Sequence, residues 1–218
     1  MNLKAIIFDL DGVITETAHL HYQSWSRIAK QFNYELTEED NLAIKGLSRR
    51  ASLDKVLAFS GVELAEEKIQ ELLIVKNDHY QHLLNDLSNQ DTLPGFNEFF
   101  AQCSKEGLLL AVGSASKNAK IILKKLGKQD DFDAIVDGHM VEYSKPNPEV
   151  FLNAAKLMNV HPNETVVFED AIAGVEAANE GGFFSIGVGK EANLGHADAV
   201  IPSLKNFTFK HLNQIIQS

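Results

Sequence analysis

The chain has 218 residues, 44% hydrophobic and 23% charged, enough to bury a sizeable core in one large domain or in one domain carrying a smaller insert; a disordered chain is excluded. A formal net charge of −10, without a lysine and arginine cluster of the kind that tracks a phosphate backbone, excludes nucleic acid as the expected partner, and no apolar run approaches membrane-spanning length. The single cysteine, Cys103, rules out an intramolecular disulfide and a multi-cysteine zinc site, so a reducing, cytoplasmic location is expected.

Ala5-Ile6-Ile7-Phe8 runs without polar alternation into Asp9, the pattern of a strand covered on both faces of a parallel sheet. Ionised carboxylates at Asp9 and Asp11 are costly at the end of such a run and imply pairing, a metal or chemistry. Residues 17 to 87 then read as helices only. The first carries His21, Trp25, Ile28 and Phe32 on one stripe. A second follows Thr37, whose partner Asp40 completes a capping pattern, and ends near Gly46; a third follows Ser48 and stops at Gly61. A fourth spans about Ala65 to Leu87, with Lys76 inside an apolar stripe that includes Leu73 and Tyr80. Ser88 to Asp91 is polar and leads to the breaker Pro94-Gly95.

Strand-like runs recur at 108–112, 134–136, 165–168 and 183–186, separated by helical stretches at 121–126, 150–158 and 171–180 that close on Gly127, Asn159 and Gly181. The class is therefore α/β: a Rossmann-like, mostly parallel sheet flanked by helices, with a helical-bundle cap inserted after the first strand. Residues 1–15 and 90–218 are expected to form the catalytic core and 16–89 the cap. Ile14 to Thr17, including Thr15, Glu16 and Thr17, and Ser88 to Pro94 are expected to act as a double hinge.

Ligands of open α/β sheets bind beyond the carboxyl ends of the strands. Those ends carry Asp9 with Asp11, Ser114 with Ser116, and Glu169 with Asp170, while Lys145 stands in the loop before Pro146. Like charges ~4 Å apart repel by several kcal/mol at intermediate dielectric, so the four acids require cations. An all-oxygen set favours a hard ion, Mg2+, over zinc. Lys145 adds a fixed positive charge and Ser114 a hydroxyl, and the crevice suits a phosphoryl group. Asp9 is placed to attack phosphorus as nucleophile, and Asp11 to exchange protons with the leaving and incoming oxygens.

FDLDGV, the serine of GSAS, the lysine of SKPNP and the acidic pair of VVFEDA stand in the order and approximate spacing of the four motifs of the haloacid dehalogenase superfamily, in its helical-cap group, which the chain resembles along essentially its whole length. Asp11 is similar to the second aspartate of its phosphatases and phosphomutases. The cap resembles the superfamily's sugar phosphomutase branch through DGVIT, His21 and Trp25, KGLSR at Lys45 to Arg49, Lys76-Asn77, and SASKN at Ser114 to Asn118.

The resemblance implies interconversion of β-glucose 1-phosphate and glucose 6-phosphate through a phosphorylated Asp9 and a bisphosphate. Mg2+ would be held by Asp9, the backbone carbonyl of Asp11, Glu169 and Asp170. Ser114, Ala115 and Lys145 would hold the transferring phosphate. His21, Trp25, Gly46, Arg49, Ser52, Lys76, Asn77, Ser116, Lys117 and Asn118 would meet the substrate, with Arg49 clamping the distal phosphate. The chain departs from the pattern at Glu16, where aspartate is expected, and at Gly113, where alanine is usual.

The bland readings are an Asx turn for Asp9 and Asp11, a helix cap for Glu169-Asp170, a snorkelling stem for Lys76, and core packing for His21 and Trp25. Gly187-Val188-Gly189 lacks the third glycine of a dinucleotide fingerprint and is set aside. A phosphatase using the same core is the nearest alternative function, and a phospho-receiver module a more distant one that has no use for a helical insert over its site. With no evident coiled coil or free amphipathic tail, a monomer acting on a small sugar phosphate is expected.

Overall fold

In a computed structural model, which describes residues 1–217, six parallel strands form one sheet in the order β3-β2-β1-β4-β5-β6. They are β1 (Ala5–Phe8), β2 (Leu109–Gly113), β3 (Ala134–Val136), β4 (Thr165–Glu169), β5 (Phe184–Val188) and β6 (Ala199–Ile201). The helices are α1 (Ala18–Ala29), α2 (Glu38–Ile44), α3 (Arg49–Phe59), α4 (Glu66–Leu83), α5 (Phe96–Lys105), α6 (Ala119–Lys125), α7 (Glu149–Met158), α8 (Ile172–Glu180), α9 (Glu191–Leu194) and α10 (Phe209–Gln217). None of them is long and apolar enough to cross a membrane.

The residues of β1 are buried on both sides, as a central parallel strand requires. Ile6 and Phe8 face one apolar cluster, in which Phe96, Phe99 and Cys103 of α5 and Leu212 of α10 pack. Ala5 and Ile7 face a second, built with Val150, Phe151, Ala154 and Met158 of α7 and Ala177 and Ala178 of α8. Helix, sheet and helix thus make three layers. The strand order is that of a doubly wound sheet, whose ligands sit where the order reverses around β1.

Helices α1 to α4, between β1 and β2 in the chain, bury a third cluster of their own, with Trp25, Ile28, Leu53, Val56 and Leu72. Their boundaries follow local chemistry. Thr37 and Asp40 exchange both bonds of a capping box at the start of α2, and the Ser48 hydroxyl accepts from Ala51 N at the start of α3. The segments entering and leaving the insert lie side by side: Leu93 N donates to Ile14 O at 2.8 Å, and the buried Thr15 hydroxyl donates to Asp91 O at 2.7 Å.

The sheet has one more strand than the five runs predict. β6 is three residues long at the sheet edge and stops before Pro202, too short to carry a period. α5 and α10 also stood outside the expectation, although Phe96, Phe99, Phe100 and Cys103, and Phe209, Leu212 and Ile216, fall at helical spacing. α4 ends four residues before the expected Leu87, and a 3-10 turn over Leu84–Asp86 follows it.

Phe99 is fully buried, and its ring meets those of Phe8, Phe168 and Phe207 at centroid distances of 6.2, 5.3 and 5.1 Å. Phe99→Ala is expected to cost ~3–5 kcal/mol of folding free energy, read as a lower urea midpoint. A midpoint equal to the parent protein's would show that this aromatic cluster does not organise the sheet face.

Candidate active site

The register of three strands levels the site. Phe8 pairs with Val112 of β2 on one side and Phe168 of β4 on the other, so Asp9, Gly113 and Glu169, one residue further on, stand abreast at the carboxyl edge. Asp9 continues the ladder by donating its N–H to Phe168 O at 2.9 Å. The chain then turns, with Gly12 at φ +80° and Gly12 N bonded to Thr15 O, and this turn carries Asp11 past the strand end. A Cβ at Gly12 would overlap the Asp170 carboxylate, which gives the glycine a steric reason as well as a conformational one.

Carboxylate oxygens of Asp9, Glu169 and Asp170 lie within 4.8 Å of one another. Lys145, 1% exposed, places its ammonium 2.5 Å from Asp9 Oδ1, 2.7 Å from Glu169 Oε2 and 3.3 Å from the Gly113 carbonyl, over the Phe151 ring. Burial works against its charge, but Asp9 and Glu169 outweigh burial and push its pKa up. Glu169 Oε1 accepts from Asp170 N and Ala171 N at 3.1 and 2.9 Å, so both its oxygens are engaged. Gly174 in the first turn of α8 leaves room for that carboxylate, with which a Cβ there would collide. The helix-cap reading of this residue is corrected: α8 begins at Ile172 with Ala171 at its N-cap and no side-chain cap bond, and Glu169 instead holds the backbone of the turn that leads into it.

Lys45, at the end of α2, forms an ion pair with Asp170 Oδ2. Burial raises the pKa of both Glu169 and Asp170, with the Asp9 charge adding to it and the lysines opposing it. Asp11 is pushed up to about 7, by burial first and by the Asp9 and Glu16 charges next. Its Oδ1 is buried without a hydrogen-bond partner among the described residues. Oxygen donors alone, in excess negative charge, fit a hard divalent cation.

The roof comes from the insert. His21 Nε2 lies 3.9 Å from Asp11 Oδ2, and His21 Nδ1 lies 2.9 Å from Lys76 Nζ. Burial and the Lys76 and Arg49 charges lower the His21 pKa and keep the ring neutral; a protonated Lys76 donating to Nδ1 places the ring proton on Nε2, toward Asp11. Lys76 is 2% exposed between the Trp25 and Tyr80 rings, and burial lowers its pKa to about 7. It is thus not a snorkelling stem. No hydrogen bond or ion pair among the described residues engages the half-buried Arg49 guanidinium.

A cavity of about 80 Å³ lies between roof and sheet. Asp9, Asp11, Asp170, Ser114, Ala115, Ser116, Lys117 and Asn118 line it from below, and His21, Trp25, Gly46, Arg49, Ser52 and Lys76 from the insert. Trp25 belongs both to this wall and to the insert's own core. Glu169 and Lys145 stand behind the wall. Asn77 lies at its edge, where Asn118 Nδ2 donates to Asn77 Oδ1 and Gln81 Nε2 to Asn118 Oδ1, both at 3.0 Å. Ser114 Oγ accepts from Ser116 N and Ser116 Oγ from Asn118 N, so this loop is held open by its own side chains. Thr15 and Thr17 are buried and Glu16 exposed in the connecting segment. At Gly113, where alanine was the expectation, a Cβ would press on the Phe151 ring beneath Lys145.

Sequence reasoning missed Lys45, Asn41 and Gln81. Lys45 and Asn41 line the cavity, and Gln81 ties α4 to Asn118. For Lys45 a signal existed, since it precedes Gly46-Leu47-Ser48-Arg49 in the motif already singled out.

This sheet, its acid cluster and its helical roof define a class. Residues 6–188 match the family model of the haloacid dehalogenase-like hydrolases, and the chain belongs to that family. It is 39% identical over 214 residues to the β-phosphoglucomutase of Bacillus subtilis, covering 97% of this chain and 95% of that protein. A crystal structure of β-phosphoglucomutase from Clostridium difficile superposes with a TM-score of 0.95 at 36% identity, over 99% of this chain and 97% of that one. A phosphorylated carbohydrates phosphatase of Thermotoga maritima is 30% identical over 198 residues, 89% of each chain. The protein is an enzyme of this family, a close homologue of the β-phosphoglucomutases with phosphatases among its relatives.

The raised carboxyls set the pH response of the metal-free fold. Asp11 keeps its proton in the folded state up to about 7, whereas the unfolded chain releases it near 3.8. Its contribution to stability is complete below 3.8 and is lost as pH rises toward 7, with Glu169 and Asp170 acting in the same sense. His21, held neutral, opposes this below 6.5, and Lys76 acts only between about 7 and 10.5. Urea unfolding in chelator at pH 5 and pH 7 is expected to show a smaller loss of stability across that interval for Asp11→Asn than for the parent. An unchanged loss would mean that Asp11 is ionised throughout.

Proposed function

We propose that the chain is a phosphomutase interconverting β-glucose 1-phosphate and glucose 6-phosphate through a phospho-aspartate at Asp9 and a glucose 1,6-bisphosphate. One observation carries this beyond a generic phosphatase: the cavity between roof and sheet has Asp9, with Lys145 behind it, on its floor and an uncommitted guanidinium, Arg49, on its roof. Such a site offers anion recognition at two places, as a sugar carrying two phosphates needs.

Asp9 attacks phosphorus with the oxygen that Lys145 leaves free, and Lys145 holds the other oxygen and fixes the carboxylate's rotamer. Asp11, pushed up to about 7, delivers a proton to the departing sugar oxygen and later removes one from the incoming hydroxyl. His21 orients Asp11 from the roof. Mg2+ would be held by Asp9, the Asp11 backbone carbonyl and Asp170, with Glu169 adding its charge while its oxygens serve Lys145 and the backbone of the turn leading into α8. When bound, the ion supplies charge neutralisation between the carboxylate nucleophile and the anionic phosphoryl group. Ser114, Ala115 and the backbone around them cradle that group.

Residues 16–89 act as a cap that closes over the sugar, hinged at Thr15 to Thr17 and at Ser88 to Pro94. Closure keeps water away from phospho-Asp9 until a sugar hydroxyl arrives, and this exclusion separates a mutase from a phosphatase. The enzyme works as a monomer in the cytoplasm.

Incubation with β-glucose 1-phosphate, Mg2+ and a trace of glucose 1,6-bisphosphate should yield glucose 6-phosphate without stoichiometric inorganic phosphate. Release of phosphate in step with substrate loss would assign the protein to the phosphatases. Arg49→Ala should lower mutase turnover by roughly 10- to 100-fold, the value of a lost charge-assisted hydrogen bond or two, and leave hydrolysis of acetyl phosphate nearly unchanged. Equal losses in the two assays would remove Arg49 from phosphate recognition.

A further inference from the structure

The acid cluster has two ammonium groups of different origin. Lys145 comes from the loop between β3 and α7, is fully buried, and bridges Asp9 and Glu169. Lys45 comes from the roof, its side chain is 27% exposed, and it pairs with Asp170 Oδ2. The backbone that carries it is pressed against the same loop: Gly46 adopts φ +77°, and a Cβ there would stand 2.9 Å from the Ala171 Cβ. Among the described residues Lys45 is the only cationic side chain that contacts Asp170. Charge drives the contact, since Asp170, Glu16 and Glu169 together outweigh the burial of the lysine.

We infer that Lys45 is an internal stand-in for the divalent cation: its ammonium occupies the Asp170 side of the cluster in the metal-free enzyme, and Mg2+ binds in competition with it. The inference rests on the assignment of Mg2+ to Asp9 and Asp170 made above. A divalent ion and an ammonium sharing one carboxylate within a cluster 4.8 Å across repel each other, and only one of them is tethered to the roof. Asp170 therefore links the metal to the docking of the α2–α3 turn. Metal uptake frees Lys45 and with it one of the polar contacts between the roof and the sheet edge, which also include His21 on Asp11 and Asn77 and Gln81 on Asn118. Lys145 pairs with Asp9 Oδ1 and Glu169 Oε2 and does not share the Asp170 carboxylate that Lys45 holds.

The test is the Mg2+ affinity of chelator-treated protein by titration calorimetry, without substrate. Lys45→Met retains the aliphatic stem and removes the charge, and it should bind Mg2+ at least about tenfold more tightly than the parent, because the ammonium that competes for Asp170 is gone. Lys45→Arg retains the charge and should stay within about twofold of the parent. Thermal melts of the three metal-free proteins establish that each is folded before titration. Equal or weaker binding by Lys45→Met would overturn the competition while leaving the metal assignment intact. Absence of Mg2+ binding by all three proteins would remove the metal assignment and this inference with it.

Discussion

The contact on which the structure depends is the buried ammonium of Lys145 between Asp9 and Glu169. Three carboxylates within 4.8 Å, with Asp11 a turn away, would repel one another by several kcal/mol per pair at intermediate dielectric. A buried ion pair of this kind is weak evidence for stability, because desolvation offsets much of the attraction. Its value lies in position. Lys145 pins one oxygen of Asp9 from a loop 136 residues away and one of Glu169 from 24 residues away, so the nucleophile's geometry is a product of the whole sheet.

Small residues make that geometry possible. Gly12 makes room for Asp170, Gly174 for Glu169, and Gly113 for the Phe151 ring on which Lys145 rests. Each lies within five residues of a strand's carboxyl end, where the in-register β2, β1 and β4 deliver the chemistry. The roof has the opposite character. Apart from Lys45, the cations it turns to the cavity, Lys76 and Arg49, form no ion pair with a carboxylate among the described residues, and burial lowers the pKa of each. A cationic roof over an anionic floor is arranged for a guest that carries negative charge at more than one place.

Much of this was legible in the chain. The unbroken apolar run into Asp9 announced a two-sided strand, and the structure buries all four residues of β1. The capping pair Thr37 and Asp40 and the start at Ser48 appear as written, because caps are local chemistry. The acids and Ser114 meet at one edge because strand ends carry them, and the loop before Pro146 brings Lys145 to the same place. β6 was not legible, since three residues at an edge have no period, and α5 and α10 carried stripes that went unread. The partnership of Lys45 with Asp170 depends on how the roof sits on the sheet, a distance no local pattern encodes. The same holds for Gln81 and Asn118.

The central claim is that the Asp9 carboxylate takes up the phosphoryl group. The most direct measurement is to quench the enzyme during turnover of glucose 1,6-bisphosphate, reduce any acyl phosphate with borohydride, and map the modified residue by peptide mass spectrometry. The account predicts homoserine at position 9 and nowhere else. Turnover with position 9 unmodified, or with the label on another carboxylate, would contradict it.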